Sequence, residues 1–135
     1  MMRYLLPASL ALLVGCWTSP APSGFPPARS PGGVQARLQT QSGTQLSGEL
    51  LEVRDSAYVV LLSNRVTIVP FLSLRGAAFP HQDWGQLGSY THPSADTRDR
   101  IRWYSRFPFG MNDVALAALL RASGQTTPDV VASAP

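Results

Sequence analysis

Few side chains in this 135-residue sequence could carry out covalent chemistry. Cys16 is the only cysteine, which excludes an internal disulfide and a CxxC redox or zinc motif. Its thiol could therefore be a core residue, a nucleophile, a metal ligand or an attachment point. No histidine and no second cysteine stands near it in the sequence, so the spacing favours attachment.

The two histidines are the other candidates for a metal site or a general base. His81, Asp83 and His92 fall in a stretch rich in glycine and aromatic residues, and their spacing matches no common set of metal ligands. No GxSxG turn marks a nucleophilic serine. We therefore expect no metal ion, no cofactor and no catalytic residue, and a small hydrolase that uses His81 or His92 is the last-ranked alternative.

The amino-terminal residues have the layout of a secretory signal peptide. Residues 1–4 carry the charge of Arg3, and residues 5–14, LLPASLALLV, form an apolar run. At about 1.5 Å per residue, this run is too short to cross the ~30 Å hydrocarbon layer as a permanent span. We expect residues 1–15 to be a signal peptide that is cleaved.

The apolar run ends in Leu13-Val14-Gly15-Cys16, which resembles the lipobox of bacterial lipoproteins. The resemblance implies transfer of a diacylglyceryl group to the Cys16 sulfur, cleavage just before this residue, and often acylation of the new amino terminus. Two or three acyl chains, such as palmitate, hold a protein on a membrane better than one, because each buried methylene contributes roughly 0.8 kcal/mol. Trp17 stands where an aspartate would favour the inner membrane, so the resemblance implies the outer membrane, facing the periplasm.

Residues 16–33 are predicted to be a lipidated cysteine followed by a disordered linker. The stretch TSPAPSGFPPARSPGG, residues 18–33, contains five prolines and almost no charge. This composition favours an extended, polyproline-like chain of about 3 Å per residue, which could hold a domain up to ~45 Å from the bilayer. We predict that the segment is a spacer between the membrane and a folded domain.

Residues 34–79 alternate apolar and polar side chains with a period of two, which is typical of β-strands. Turn residues at Ser42-Gly43, Arg54-Asp55-Ser56 and Asn64-Arg65 help to divide the segment into five short strands. Gly48 lies within the second strand, where a strongly bent strand would need a glycine. The sequence therefore predicts a mainly β protein with some α: a small five-stranded antiparallel barrel, closed or nearly closed.

The order of these strands and turns resembles that of the Sm-like barrel family. The resemblance lies in hydrophobic spacing, as in Leu46-Ser47-Gly48-Glu49-Leu50 and Val66-Thr67-Ile68-Val69-Pro70. Members bind single-stranded RNA through an aspartate-x-asparagine loop and an arginine-glycine loop. Here Asp55-Ser56-Ala57-Tyr58 lacks the asparagine, and Arg75-Gly76 follows the proline.

The net charge of the protein also disfavours nucleic acid as a partner. The formal net charge is only +3, which is weak for a dedicated nucleic-acid binder. RNA is also scarce outside the cytoplasm, where the signal peptide would direct the chain. An Sm-like nucleic-acid-binding oligomer is therefore an alternative only if the amino terminus is not a signal.

Residues 94–125 are predicted to form a two-helix C-terminal segment, joined to the barrel by a loop at 80–93. The first helix begins at Ser94, Phe107-Pro108-Phe109-Gly110 ends it, and Asn112 caps a second, apolar helix. We expect a C-terminal helical hairpin packed on the barrel, with both phenylalanines of the turn buried. Residues 126–135 are predicted to be a disordered tail.

Arginines spaced by four on the first predicted helix, Arg98, Arg102 and Arg106, would form a basic stripe beside Trp103 and Tyr104. Such a surface could bind lipid phosphates, an anionic glycan or an acidic envelope protein. The composition favours the alternative, a solvated face balanced by two aspartates of the same helix. We predict a lipid-anchored, non-enzymatic envelope protein that binds or scaffolds another envelope component, with these five residues as the candidate contact surface.

Overall fold

The computed structural model describes residues 33–79 and 90–133. The predicted signal peptide, Cys16, the linker up to residue 32, and His81 with Asp83 lie outside the described residues. In chain order the elements are β1 (Gln35–Thr40), β2 (Gln45–Val53), β3 (Ala57–Leu62), β4 (Arg65–Pro70), a 3₁₀ turn (Phe71–Ser73), β5 (Leu74–Ala78), α1 (Ala95–Arg102), α2 (Asp113–Ala122) and β6 (Asp129–Val130).

Two tight hairpins build the centre of the sheet. Strands β1 and β2 pair antiparallel with Leu38 opposite Leu46, and Gly43 in their turn has a φ of 91°. Strands β3 and β4 are joined by Ser63 and Asn64, whose φ values of 48° and 61° match the left-handed pair of a type I′ turn. The turn therefore lies one residue earlier than predicted.

Gly48 allows β2 to lie close against β3. A Cβ atom at this position would clash with the carbonyl oxygen of Leu61 in β3. The sequence singled out Gly48 as a bend in the second strand, and the structure gives it a steric reason to be glycine.

All six strands form one sheet in the order β5-β1-β2-β3-β4-β6. Each neighbouring pair is antiparallel except β4 and β6, which pair in parallel through Thr67 with Asp129 and Ile68 with Val130. The prediction of a mainly β protein with some α is therefore confirmed, whereas the sheet has six strands and is not closed, so the predicted five-stranded barrel, closed or nearly closed, is not confirmed. The sixth strand comes from the tail that the sequence predicted to be disordered.

The sheet is covered on both faces, because β3 sends alternate side chains into two separate cores. Tyr58 and Val60 join the first core, whereas Val59 joins the second. Helix α1 contributes Ile101 to the first core, and α2 contributes Leu119 to the second. The predicted helical hairpin is therefore wrong, since the two helices bury their apolar sides in different cores.

Both predicted helix starts are confirmed. The Ser94 side-chain oxygen accepts the N–H of Thr97 at 3.3 Å, and the Asn112 oxygen accepts the N–H of Ala115 at 2.8 Å. Helix α1 ends at Arg102, so it is shorter than the helix that the arginine spacing required. No helix within residues 33–79 and 90–133 is long and apolar enough to cross a membrane.

A buried amide fixes the segment that precedes β6. The Gln125 side chain accepts the Val66 N–H at 2.7 Å and donates to the Val66 carbonyl oxygen at 3.0 Å. It thereby pairs with the outer edge of β4 as a neighbouring backbone would. Arg65 then holds Asp129 through two bonds, at 2.6 and 2.9 Å, where β6 begins.

Candidate functional site

The orientation of α1 is set by Ile101, whose side chain is fully buried in the first core. Successive helical residues differ by about 100°, so Arg102 lies on the flank of the helix and Trp103 faces away from the core. Trp103 is 55% exposed, whereas the Arg102 side chain is 32% exposed. The residues predicted to form one surface are therefore divided between a flank and an outer face.

Arg102 clamps α1 to the end of β2. Its Nη1 lies 2.6 Å from the Asp99 carboxylate, and its Nη2 lies 3.4 Å from the Asp55 carboxylate. Its Nε donates to the carbonyl oxygen of Val53 at 3.2 Å. A guanidinium with this set of acceptors serves to hold two elements together.

Arg106 makes a partly buried ion pair with the sheet. Its Nε lies 2.8 Å from the Glu49 carboxylate in β2, and the two side chains are only 25% and 19% exposed. The same Glu49 oxygen accepts the backbone N–H of Gly33 at 2.7 Å. One carboxylate thus joins the start of the described domain, β2 and the segment after α1.

Arg98 is hydrogen-bonded to the backbone just before α1. Its Nη1 donates to the carbonyl oxygen of Pro93 at 3.0 Å, and its Nε is buried. These contacts do not support the prediction that Arg98, Arg102 and Arg106 form one outward-facing basic stripe. The three arginines tie the connection around α1 to the rest of the chain.

The outward-facing part of this region is an aromatic pair. The rings of Trp103 and Phe109 meet edge to face, with centroids 5.6 Å apart and planes at 82°. Phe109 is 72% exposed, so the expectation that both phenylalanines of the turn are buried holds only for Phe107. Tyr104 is half-buried, and its backbone oxygen accepts the N–H of Val34 at 2.9 Å.

A shallow groove of about 480 Å³ lies beside this Trp103–Phe109 pair. Phe109 and Pro108 line one part of it, and charged side chains line another. Two of these charges, Arg54 and Glu52, lie 3.1 Å apart. The charges here are therefore balanced within the groove, and it carries no strong field of one sign.

A second groove, of about 750 Å³, lies along β1, β2 and β5. Its polar side chains are spaced by two along their strands, and they are Arg37 and Gln39 in β1 and Gln45 and Ser47 in β2. We call the part of this groove that these four residues line the polar groove. No sequence motif marks this surface, although the same alternation that predicted the strands also indicates their outward positions.

Among the residues that the structure describes, the candidate groups for chemistry lie at separate places. His92 is exposed, and its Nδ1 lies 3.3 Å from the Thr91 hydroxyl. Within the described ranges, no three His, Cys, Asp or Glu side chains come together as metal ligands would. Asp55 is paired with Arg102, and Arg75 with Gly76 lies within the edge strand β5 rather than in a loop between strands.

Comparison with known proteins adds no relative to this description. No protein-family model, no curated protein and no solved structure matches this chain.

Proposed function

We propose that this chain is a lipid-anchored bacterial envelope protein, in which a non-enzymatic binding domain is held on a proline-rich tether. The observation that carries the proposal is the point where the tether joins the domain. Gly33 and Val34 are hydrogen-bonded to Glu49 and Tyr104, so the first residues that the structure describes are already held on the sheet, and in the sequence they directly follow the proline-rich residues 17–32 and Cys16. An anchor sulfur, a spacer and a small domain then follow one another without a gap.

We further propose that the domain has the strand arrangement of an Sm-like barrel that is open and carries one additional strand. Its first five strands have the order β5-β1-β2-β3-β4, in which the last strand returns to pair with the first. A sheet of this kind needs only a junction between β4 and β5 to become a small barrel. Here β6 covers the outer edge of β4 instead.

The proposed partner is a polar, anionic component of the envelope, such as an acidic glycan. The polar groove supports this chemistry because Arg37 supplies a cation and the neighbouring amides and hydroxyl can donate or accept hydrogen bonds. The arginines around α1 are less suited to this role, because Arg102 and Arg106 are already paired with carboxylates. Binding, rather than catalysis, is the chemistry that such a groove favours.

Cross-linking the protein in its native envelope tests this proposal. Replacement of Arg37 and Gln39 by alanine should remove the main cross-linked partner, because it removes the cation and one amide of the polar groove. The matched control is Arg121→Ala, which deletes an exposed arginine of α2. An unchanged cross-linking pattern in the groove variant would contradict the proposed binding surface.

A further inference from the structure

The chain from Cys16 joins the folded domain next to its exposed aromatic pair. The backbone N–H of Val34 donates to the carbonyl oxygen of Tyr104 at 2.9 Å, and Tyr104 directly follows Trp103. Gly33 is held by Glu49, which also binds Arg106 in the segment between Trp103 and Phe109. The side of the domain that receives the tether therefore also displays the Trp103–Phe109 pair.

The chemistry of this pair suits the boundary between water and hydrocarbon. Tryptophan is enriched at this boundary because its ring is largely apolar and its N–H is polar. Trp103 and Phe109 are 55% and 72% exposed, and they stand edge to face as one projection. Exposed apolar side chains of this size mark an interaction surface more often than a random position on a soluble domain.

We propose that the Trp103–Phe109 pair is a membrane-docking element, which inserts into the interfacial layer of the bilayer that carries the Cys16 anchor. This inference rests on the lipid anchor of the proposed function. The occupant is the lipid surface itself, because the chain that leads to the Cys16 anchor meets the described domain at Gly33 and Val34, beside the pair. Docking would orient the domain on the membrane.

The charges around the pair determine which kind of lipid binding to expect. Arg102 and Arg106 are bound to Asp99 and Glu49, and the groove beside Phe109 contains charges of both signs. Among the described residues, Arg102 and Arg106 are therefore already paired with carboxylates and do not supply the basic cluster that recognises anionic headgroups. Docking should occur on zwitterionic lipid and depend only weakly on salt.

A weak insertion is sufficient for a tethered domain. A short tether to a membrane would keep the domain at an effective concentration in the millimolar range near that membrane. Two partly buried aromatic side chains can then orient the domain, although they would not recruit an untethered protein. The anchor would therefore recruit the protein to the membrane, and the Trp103–Phe109 pair would orient the domain there.

The test uses residues 16–135, the expected mature chain, coupled to phosphatidylcholine vesicles through the Cys16 thiol, with a maleimide lipid as the artificial anchor. Trp17→Phe and Trp84→Phe leave Trp103 as the only fluorophore among the three tryptophans. Acyl-chain-brominated lipid should quench its emission about two-fold, and the emission should shift to the blue. Phe109→Ser should reduce both effects.

The matched control places the fluorophore at the other end of β2. Gln45 is exposed at the start of this strand, seven residues before Glu52, which lines the groove beside Phe109. Seven residues of strand span about 20 Å. A chain with Gln45→Trp and Trp103→Phe, in the same Trp17→Phe and Trp84→Phe background, should show no quenching by the brominated lipid.

Equal quenching at the two positions, or none at Trp103, would overturn the docking proposal. A blue shift that grows with protein concentration without vesicles would identify a second copy as the occupant, and would overturn it as well. Quenching that requires anionic lipid and vanishes in salt would contradict apolar insertion. Because the maleimide lipid supplies the anchor, a chain that cells do not acylate at Cys16 would overturn the proposed function and leave the vesicle result valid.

Discussion

The guanidinium of Arg106 lies 2.8 Å from the carboxylate of Glu49, and the two side chains shield each other from solvent. The Glu49 oxygen that binds Arg106 also accepts the Gly33 N–H. Close to this pair, the N–H groups of Arg106 and Phe107 donate to the carbonyl oxygens of Leu50 and Leu51. The segment after α1 is therefore attached to β2 by backbone and side chain together.

Glu49 and Arg106 should show measurable energetic coupling. We expect a double-mutant cycle with Glu49→Gln and Arg106→Met to give about 1 kcal/mol, because the pair is more than two-thirds buried and well aligned. Urea denaturation of the four proteins measures the coupling free energy. Additive effects of the two substitutions would show that the ion pair does not stabilise the fold.

The spacing of the three arginines could not reveal this arrangement. A spacing of four residues places side chains on one face only while the helix continues, and α1 ends at Arg102. Arg106 therefore lies outside the helix, and its direction depends on the turns at 103–106. The ion pair with Glu49 joins residues far apart in sequence, which a local pattern does not encode.

Gln125 should be among the most important polar residues for stability. Gln125→Ala would leave the N–H and the carbonyl oxygen of Val66 without their partners at the edge of β4. We expect the free energy of unfolding to fall by about 2–4 kcal/mol, since each buried unsatisfied group costs roughly 1–3 kcal/mol. Chemical denaturation checks this, with the exposed Gln35→Ala as the control. Equal stability of the two variants would contradict the role given to Gln125.

Tyr58 should make the domain sensitive to alkali. Burial raises the pKa of Tyr58 well above its ordinary value of 10.0. The unfolded state therefore loses this proton first, so the stabilising contribution is complete below pH 10 and declines as the pH rises above it towards the folded pKa. Chemical denaturation followed as a function of pH should therefore show a shallower decline in unfolding free energy above that pH in Tyr58→Phe than in the wild type, and equal slopes would contradict this role of Tyr58.

The same Tyr58→Phe variant should also lose stability at neutral pH. The Tyr58 hydroxyl donates to the carbonyl oxygen of Tyr90 at 2.7 Å, and the substitution deletes this hydrogen bond. A loss of about 1 kcal/mol is expected from a single buried hydrogen bond. Thermal unfolding at neutral pH measures it, and an unchanged midpoint would argue against this bond.

The ion pair at the start of β6 should respond to acid. The hydrogen bonds from Arg65 lower the pKa of Asp129. The stabilising contribution is present above the ordinary carboxyl pKa and is lost as the pH falls through the lower, folded pKa. Asp129→Asn should therefore speed amide exchange at Val131, which donates to Ile68 at 3.0 Å, at neutral pH but not in strong acid. Asp113→Asn is the charge-matched control and should leave this amide unchanged.

The local features of the fold could be predicted from the sequence, and the long-range ones could not. Period-two alternation gave the five strands before α1, and the side-chain oxygens of Ser94 and Asn112 marked the two helix starts. Strand β6 was not predicted, because a strand of two residues shows no periodicity. Its pairing also depends on β4, more than sixty residues earlier in the sequence. The division of the helices between two cores likewise depends on which sheet face each one covers.

The most direct test of the central claim is metabolic labelling with palmitate, comparing the wild type with Cys16→Ala. We predict that the wild-type protein carries label and sediments with the membrane fraction, and that the variant loses the label and leaves that fraction. The alanine variant should retain its folded domain, because both cores of that domain are built from residues within 33–79 and 90–133. Unlabelled wild-type protein in the cytosol would contradict the lipid tether and would favour the nucleic-acid-binding alternative.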